Sequence, residues 1–229
     1  MVSRQGHLRL FENGDALAGG EEQQNKERVL MAAAALFANK GYAGTSVREI
    51  VEAASVTKPT LYYYFKNKED LYIKLMDVAM ETFSLLLDES LARKGRMRER
   101  LIGFFTDIYV LFHDNIDLLR LVNSIIYGPR GATPPYDITQ QSNHLESALN
   151  EMLDAGIQEG ELDERNRADV ILLLLGLLRS IQVLLVLKLP RQIINPESIA
   201  RAVHLIFDGA GAARAGMEAT VENRGGQSK

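Results

Sequence analysis

The residue types best suited to chemistry in this chain of 229 residues lie in one short segment, Thr45–Lys68. Leu61 and Phe65 stand four positions apart, so a helix turns both of them toward a core. Neighbouring positions on a helix diverge by 100°, so the three adjacent tyrosines of this segment cannot all face that core. The opposite side carries Pro59, Thr60 and Tyr63, with Tyr62 and Tyr64 on either flank. Such a face fits the DNA major groove, which is about 12 Å wide and admits a helix.

Positive charge is concentrated around this segment. Residues 26–68 contain seven Lys or Arg and three Glu, a balance of +4, whereas the whole chain carries -4, so the remainder carries -8. A basic patch on an otherwise acidic molecule attracts phosphate locally. Side chains at the edge of the face are predicted to donate to phosphates. These are Thr45, Ser46, Tyr62, Tyr64 and Lys68.

Three helices are predicted to position this face. The first covers Asn25–Asn39, where apolar residues recur with helical spacing. The second helix is predicted to be capped by Ser46, because Ser46 and Glu49 have the spacing of a capping box. After a tight turn, Thr57 caps the third helix, which tolerates Pro59 in its first turn. Two short helices joined by such a turn and braced by an earlier helix form a helix-turn-helix.

The rest of the chain shows helical spacing and no period-2 alternation, so the fold is predicted to be all-α. An N-terminal helix-turn-helix head is followed by a larger C-terminal helical core. The predicted domains are a flexible arm over 1–24, a DNA-binding domain over 25–73, a ligand-binding and dimerisation domain over 74–212, and a flexible tail over 213–229. Later helices are predicted at Lys68–Arg93, Arg96–His113, Ile116–Tyr127, Tyr136–Glu159, Asp163–Leu187 and Pro196–Phe207.

The stretch LFANKGYAGTSVREIVEAASVTKPTLYYYFKNKEDLY, with the helix before it, resembles the DNA-binding domain of TetR-family transcriptional regulators. The resemblance covers residues 26–73 and includes the spacing, the turn and a T-L-Y-x-x-F-x-x-K-E core. It implies base-reading positions at Lys58, Pro59, Thr60 and Tyr63. It also implies phosphate-contacting or helix-capping positions at Thr45, Ser46, Arg48, Thr57, Tyr62, Tyr64 and Lys68. Many members have Gly where Ser55 and Pro59 stand and His where Tyr64 stands, and these departures bear on operator preference.

A small-molecule pocket is predicted in the C-terminal part, because aromatic walls with a few polar groups are usual in such pockets. Arg179 and Gln182 stand inside an apolar run and therefore need polar partners. The predicted lining is Phe104, Phe105, Tyr109, Phe112, His113, Asn123, Tyr127, Arg179 and Gln182. The alternative for each aromatic residue is ordinary core packing, and for Arg179 an ion pair across a dimer.

The last two predicted helices hold more Leu, Ile and Val than a monomer of this size readily buries. The resemblance implies that they form a four-helix interface in a homodimer; the alternative is a core role within one chain. The run Val170–Leu187 is apolar enough to suggest a membrane span, but Arg179, Ser180 and Gln182 lie near its middle. These residues are unfavourable at the centre of a bilayer, so we expect a deeply buried helix and no membrane partner.

Several classes of function are not indicated. The chain has no cysteine and four scattered histidines, and it lacks a Gly-rich phosphate loop and a nucleophile elbow. We therefore expect no enzymatic activity, no metal and no cofactor. The first 24 residues lack the apolar run of a signal peptide, which predicts a cytoplasmic protein.

The sequence thus predicts a homodimeric repressor that binds double-stranded operator DNA and is released by a small apolar or amphipathic effector. One alternative is a DNA-binding regulator without such a ligand, either an activator or a platform for a partner protein. Another is a helical protein-interaction module whose helix-turn-helix does not contact DNA.

Overall fold

The computed structural model describes residues 20–129, 131–188 and 193–222, with side chains described up to Gly209. Most of the predicted N-terminal arm and the end of the predicted tail lie outside these residues. All regular structure within them is helical, which confirms the all-α prediction. The helices are α1 (Glu21–Lys40), α2 (Val47–Ala54), α3 (Lys58–Tyr64), α4 (Lys68–Ala92), α5 (Met97–Asp114), α6 (Ile116–Tyr127), α7 (Thr139–Gln158), α8 (Arg167–Val186) and α9 (Pro196–Glu222).

Most helix ends agree with the predicted ones, and the differences have local causes. Helix α1 begins at Glu21 instead of Asn25, because glutamates in a first turn complement the helix dipole. Helix α7 begins at Thr139 instead of Tyr136, since the Asp137 carboxylate accepts the Thr139 amide at 2.9 Å and holds a turn there. Helix α9 continues well beyond its predicted end at Phe207.

The chain divides into two compact units, with boundaries inside α4, α5 and α7. The first unit extends to Leu85 and also includes Val110–Asn143. Its head is built on an aromatic cluster in which the rings of Phe37, Tyr42 and Tyr72 lie 5.3 to 5.7 Å apart. Edge and tilted contacts of this kind stabilise a core beyond the area that they bury. The cluster joins α1 to α4 and so fixes the frame on which α2 and α3 are mounted.

The second unit comprises Leu86–Tyr109 and the chain from His144 onward. Its core contains the apolar faces of α5, α7, α8 and α9. Gly156 of α7 allows a close approach to α5, because a Cβ there would lie 2.1 Å from the sulfur of the buried Met97. From α9, the core takes Ile199, Val203 and Phe207.

Candidate nucleic-acid interface

Helix α3 presents the predicted polar and aromatic face. Thr57 caps the helix by accepting the Thr60 amide at 3.2 Å, and a proline follows in the first turn. Leu61 and Phe65 are fully buried, as the spacing predicts, and this burial fixes the rotation of the helix. Tyr63 is consequently 72% exposed and Tyr62 50% exposed. Lys58 and Pro59 are exposed as well, and Thr60 is partly exposed.

The start of α2 is held by the predicted capping box. The Ser46 hydroxyl accepts the Glu49 amide, and the Glu49 carboxylate accepts the Ser46 amide at 2.8 Å. The Lys40 ammonium lies 2.6 Å from the same carboxylate and ties α1 to α2. Hydrogen bonds from Lys40 and Ser46 lower the pKa of Glu49 from 4.5 to about 2.

The turn between α2 and α3 is made by Ser55. Its backbone is left-handed, with φ 54° and ψ 43°, a region that glycine occupies without strain and other residues rarely adopt. The position is therefore one where a glycine would fit, which agrees with the departure noted in the sequence. The turn sets the angle between the two short helices.

Lys68 and Thr45 form an internal tie at the edge of the face. The Lys68 ammonium donates to the carbonyl oxygens of Tyr42 and Thr45, both at 2.9 Å, and lies 4.2 Å from the centre of the Tyr42 ring. The Thr45 side chain is buried and its hydroxyl donates to the Gly41 carbonyl at 2.9 Å. The Ser46 hydroxyl also donates internally, to the Glu49 carboxylate at 2.8 Å. The phosphate contacts predicted for Thr45, Ser46 and Lys68 thus stay predictions, and all three donors have acceptors within the chain.

Arg48 is exposed on the surface of α2. Its guanidinium lies 2.8 Å from the Glu52 carboxylate one turn further along. Exposed pairs of this type contribute little to stability, so the guanidinium can exchange its partner for a phosphate at small cost.

One contact of the face was not foreseen from the sequence. The Tyr64 hydroxyl donates to the backbone carbonyl of Glu22 in the first turn of α1, at 2.8 Å. Interaction with the Glu22 side chain raises the pKa of the neighbouring Tyr63 phenol. These partners are about 40 residues apart in sequence, and helical spacing carries no signal for such a contact.

Comparison with known proteins connects this geometry to a family. Residues 29–75 match the family model for bacterial regulatory proteins of the tetR family. The helix-turn-helix segment of this chain is therefore of the TetR-family type. The chain is 28% identical over 152 residues to the fatty acid metabolism regulator protein of Bacillus subtilis, covering 60% of this chain and 70% of that protein. It is also 24% identical over 145 residues to the transcriptional repressor NicS of Pseudomonas putida, covering 61% of this chain and 66% of NicS.

Solved structures of TetR-family regulators share the fold. FadR from Bacillus subtilis, crystallised in complex with stearoyl-CoA, superposes with a TM-score of 0.58 at 23% identity, covering 80% of this chain and 97% of that one. PfmR from Thermus thermophilus gives a TM-score of 0.60 at 20% identity, covering 80% and 95%. At this level of identity the likeness establishes the TetR architecture, an N-terminal helix-turn-helix followed by a larger helical domain.

The residues predicted to line a ligand pocket are divided between the two units of the chain. Phe112, His113, Asn123 and Tyr127 belong to the first unit. Phe104, Phe105, Tyr109, Arg179 and Gln182 belong to the second. Phe104 and Phe105 are fully buried with an edge contact of 5.1 Å, as in ordinary core packing. Arg179 donates to the side-chain oxygen of Gln182 at 3.3 Å, so two of the predicted polar groups do meet.

Helix α8 is less buried than the sequence predicts. Val170, Leu174, Leu178 and Ile181 face the core of the second unit. On the other side Leu172 is 70% exposed, and Leu173 and Leu175 are also exposed. The expectation of a deeply buried helix is therefore wrong for the single chain, because only one face of α8 has a partner there. Within the described residues, the segment Glu164–Val186 alone is long and apolar enough to span a membrane by length and composition.

A further correction concerns α9. This helix was predicted to form part of the dimer interface, but its apolar residues Ile199, Val203 and Phe207 lie in the core of their own unit. Periodicity identifies an apolar face but does not say which surface covers it. Leu205, on another side of the helix, is 72% exposed.

Proposed function

We propose that the exposed face of α3 reads the bases of an operator in the major groove. The observation that carries this proposal is the position of Tyr63, which is largely exposed because Leu61 and Phe65 bury the opposite face. Lys58 and Pro59 stand in the first turn of the same helix, where side chains reach base edges in helix-turn-helix complexes. The proteins that this chain resembles are named as regulators, which favours regulation of transcription in a bacterial cytoplasm over catalysis.

Substitution of the two exposed residues tests this assignment. We expect Tyr63→Ala and Lys58→Ala to weaken binding to a duplex selected from a random library far more than binding to unselected DNA. A good base contact is worth about 1–3 kcal/mol of discrimination, whereas phosphate contacts do not depend on sequence. Arg48→Ala is the matched control, and it should weaken binding to both duplexes equally. If Tyr63→Ala and Lys58→Ala, like Arg48→Ala, weakened binding to selected and unselected DNA equally, the base-reading role of α3 would be contradicted.

We further propose that an amphipathic molecule with a long acyl chain releases the DNA. The support is the resemblance to a fatty acid metabolism regulator and to a FadR that was crystallised with stearoyl-CoA. In the second unit, Arg179 and Gln182 are polar groups within an apolar helix and could orient the head of such a ligand. The ligand need only bind the DNA-free conformation more tightly to shift the equilibrium.

Stearoyl-CoA is the probe for this proposal, with coenzyme A as its control without the acyl chain. At one hundred times its dissociation constant, a ligand adds about 2.7 kcal/mol to stability, which a thermal-shift assay detects. We expect stearoyl-CoA to stabilise the protein and to abolish the gel shift. Arg179→Ala should reduce both responses, whereas Arg201→Ala, a change at an exposed site on α9, should leave both intact. Stabilisation without release of DNA would favour a regulator that does not use this ligand as an inducer.

We also propose that two copies pair through the outer face of α8 together with Leu205 of α9. Leu172, Leu173 and Leu175 are neighbours on α8 and are all exposed in the single chain. A contiguous apolar patch on a soluble regulator marks an interaction site. A twofold dimer would also place two α3 helices at half-sites of a palindromic operator.

A further inference from the structure

The side chain of Tyr64 is held by contacts on two sides. Its hydroxyl donates to the backbone carbonyl of Glu22 in the first turn of α1, at 2.8 Å. Its ring lies against Phe65, with the ring centres 6.2 Å apart, and Phe65 is fully buried in the head. A change of rotamer at Tyr64 would break these contacts, because it moves both the ring and the hydroxyl. Tyr64 is therefore a fixed aromatic surface at the end of α3.

The ring of Tyr63 lies mostly in water, since the residue is 72% exposed. It meets Tyr64 edge to face, with the ring centres 5.0 Å apart and an angle of 79° between the planes. Edge-to-face pairs of this geometry are favourable beyond the area that they bury. An exposed side chain samples several staggered rotamers unless a neighbour restricts it. The contact with Tyr64 supplies such a restriction at the most exposed aromatic residue of α3.

We propose that Tyr64 is a positioning residue that holds Tyr63 in the orientation in which it reads the operator. This inference rests on the proposed base-reading role of α3. A side chain that is ordered before binding loses less entropy when it docks, so preorganisation strengthens the bound state. The benefit is confined to DNA that offers Tyr63 a matching base. The phosphate contact predicted for Tyr64 from the sequence needs the phenol proton, which is donated to Glu22 within the chain.

A double-mutant cycle between the two tyrosines tests this role. Tyr64→Phe keeps the ring and removes the hydroxyl that anchors it to α1. Affinity of the full chain is measured for a duplex selected from a random library and for unselected DNA, in Tyr64→Phe, in Tyr63→Ala and in the double variant. Tyr62→Phe removes a phenol hydroxyl from an exposed position of the same helix and is the matched control. Circular dichroism establishes that every variant is folded.

The measured quantity is the ratio of selected to unselected affinity. We expect Tyr64→Phe to reduce this ratio about three- to tenfold, which corresponds to the ordering of one side chain on binding. In the Tyr63→Ala background, the same substitution should leave the ratio unchanged because the side chain that Tyr64 positions is gone. Tyr62→Phe should leave the ratio unchanged in both backgrounds.

Three results for Tyr64→Phe would overturn the inference. An equal loss of affinity for both duplexes would assign the Tyr64 hydroxyl to a phosphate. The same loss of the ratio with and without the Tyr63 ring would show that Tyr64 acts independently of Tyr63. An unchanged ratio, together with a reduced ratio in Tyr63→Ala, would show that Tyr63 reads bases without this support. If Tyr63→Ala itself left the ratio unchanged, the base-reading role of Tyr63 would be contradicted, and the positioning role with it.

Discussion

Replacement of Lys68 by methionine separates two roles for this residue, an internal tie and a phosphate contact. Methionine keeps much of the apolar stem and removes the ammonium. In the folded protein this ammonium donates to two carbonyl oxygens at 2.9 Å and lies over the Tyr42 ring. Loss of the tie leaves the Thr45 carbonyl without this donor, at a residue that is almost fully buried.

The expected magnitude follows from these three contacts. A hydrogen bond from a charged group contributes about 1.5–3 kcal/mol, and a cation–π contact at an exposed site about 0.5–1 kcal/mol. The two hydrogen bonds share one partly exposed ammonium, so their sum lies near the lower end. We expect Lys68→Met to lower the free energy of unfolding by about 3 kcal/mol, a large share of the usual 5–15 kcal/mol.

Urea unfolding, monitored by circular dichroism, measures this loss of stability. The control is Lys66→Met, which makes the same change at a neighbouring exposed position. DNA affinity is then measured as a function of salt at a temperature where both variants are folded. A lost phosphate contact reduces the slope of log K against log salt by about 0.9, and an internal tie leaves the slope unchanged. If Lys68→Met had the stability of the wild type and a reduced salt slope, the internal tie would be refuted. The phosphate contact predicted from the sequence would then be supported.

Three further predictions concern the interface, the packing and the response to acid. Leu172→Asp should give folded monomers in analytical ultracentrifugation, whereas Val203→Asp should unfold the protein because it places a charge in the core. A Leu172→Asp variant that stays dimeric would show that the interface does not include this face of α8. Gly156→Ala should lower stability by about 1–3 kcal/mol in thermal unfolding, since its methyl group displaces a buried methionine. Glu49 has a pKa of about 2 in the folded state, below its ordinary 4.5, so its contribution is present above pH 4.5 and is lost as the pH falls toward 2. Glu49→Gln should remove this part of the acid dependence of the urea midpoint.

Local spacing predicted the helix-turn-helix well because its determinants are close in sequence. The capping box at Ser46 and the burial of Leu61 and Phe65 each depend on residues three or four positions apart. The start of α1 was missed because Glu21 and its neighbours show no apolar periodicity, although such residues form helices readily.

Contacts between distant segments could not be predicted in this way. The ammonium of Lys68 is held by carbonyls 23 and 26 residues earlier, and the hydroxyl of Tyr64 by one 42 residues earlier. Residue type predicted that these side chains would donate, but the acceptor depends on how the helices pack. The same limit explains α9, which was correctly predicted as a helix, whereas the surface that covers Val203 lies within its own unit and not across a dimer.

The exposed leucines of α8 have a consequence for the life of the protein in the cell. If two copies pair as proposed, a newly made subunit exposes Leu172 and its neighbours until a second copy covers them. Stability of the proposed dimer then depends on concentration, because association stabilises only the paired form. At a few copies per cell, chaperones and proteases would act on the unpaired subunits, so the amount of dimer would fall more steeply than the rate of synthesis. Degradation of unpaired chains would therefore sharpen the dependence of the dimer concentration on gene dosage.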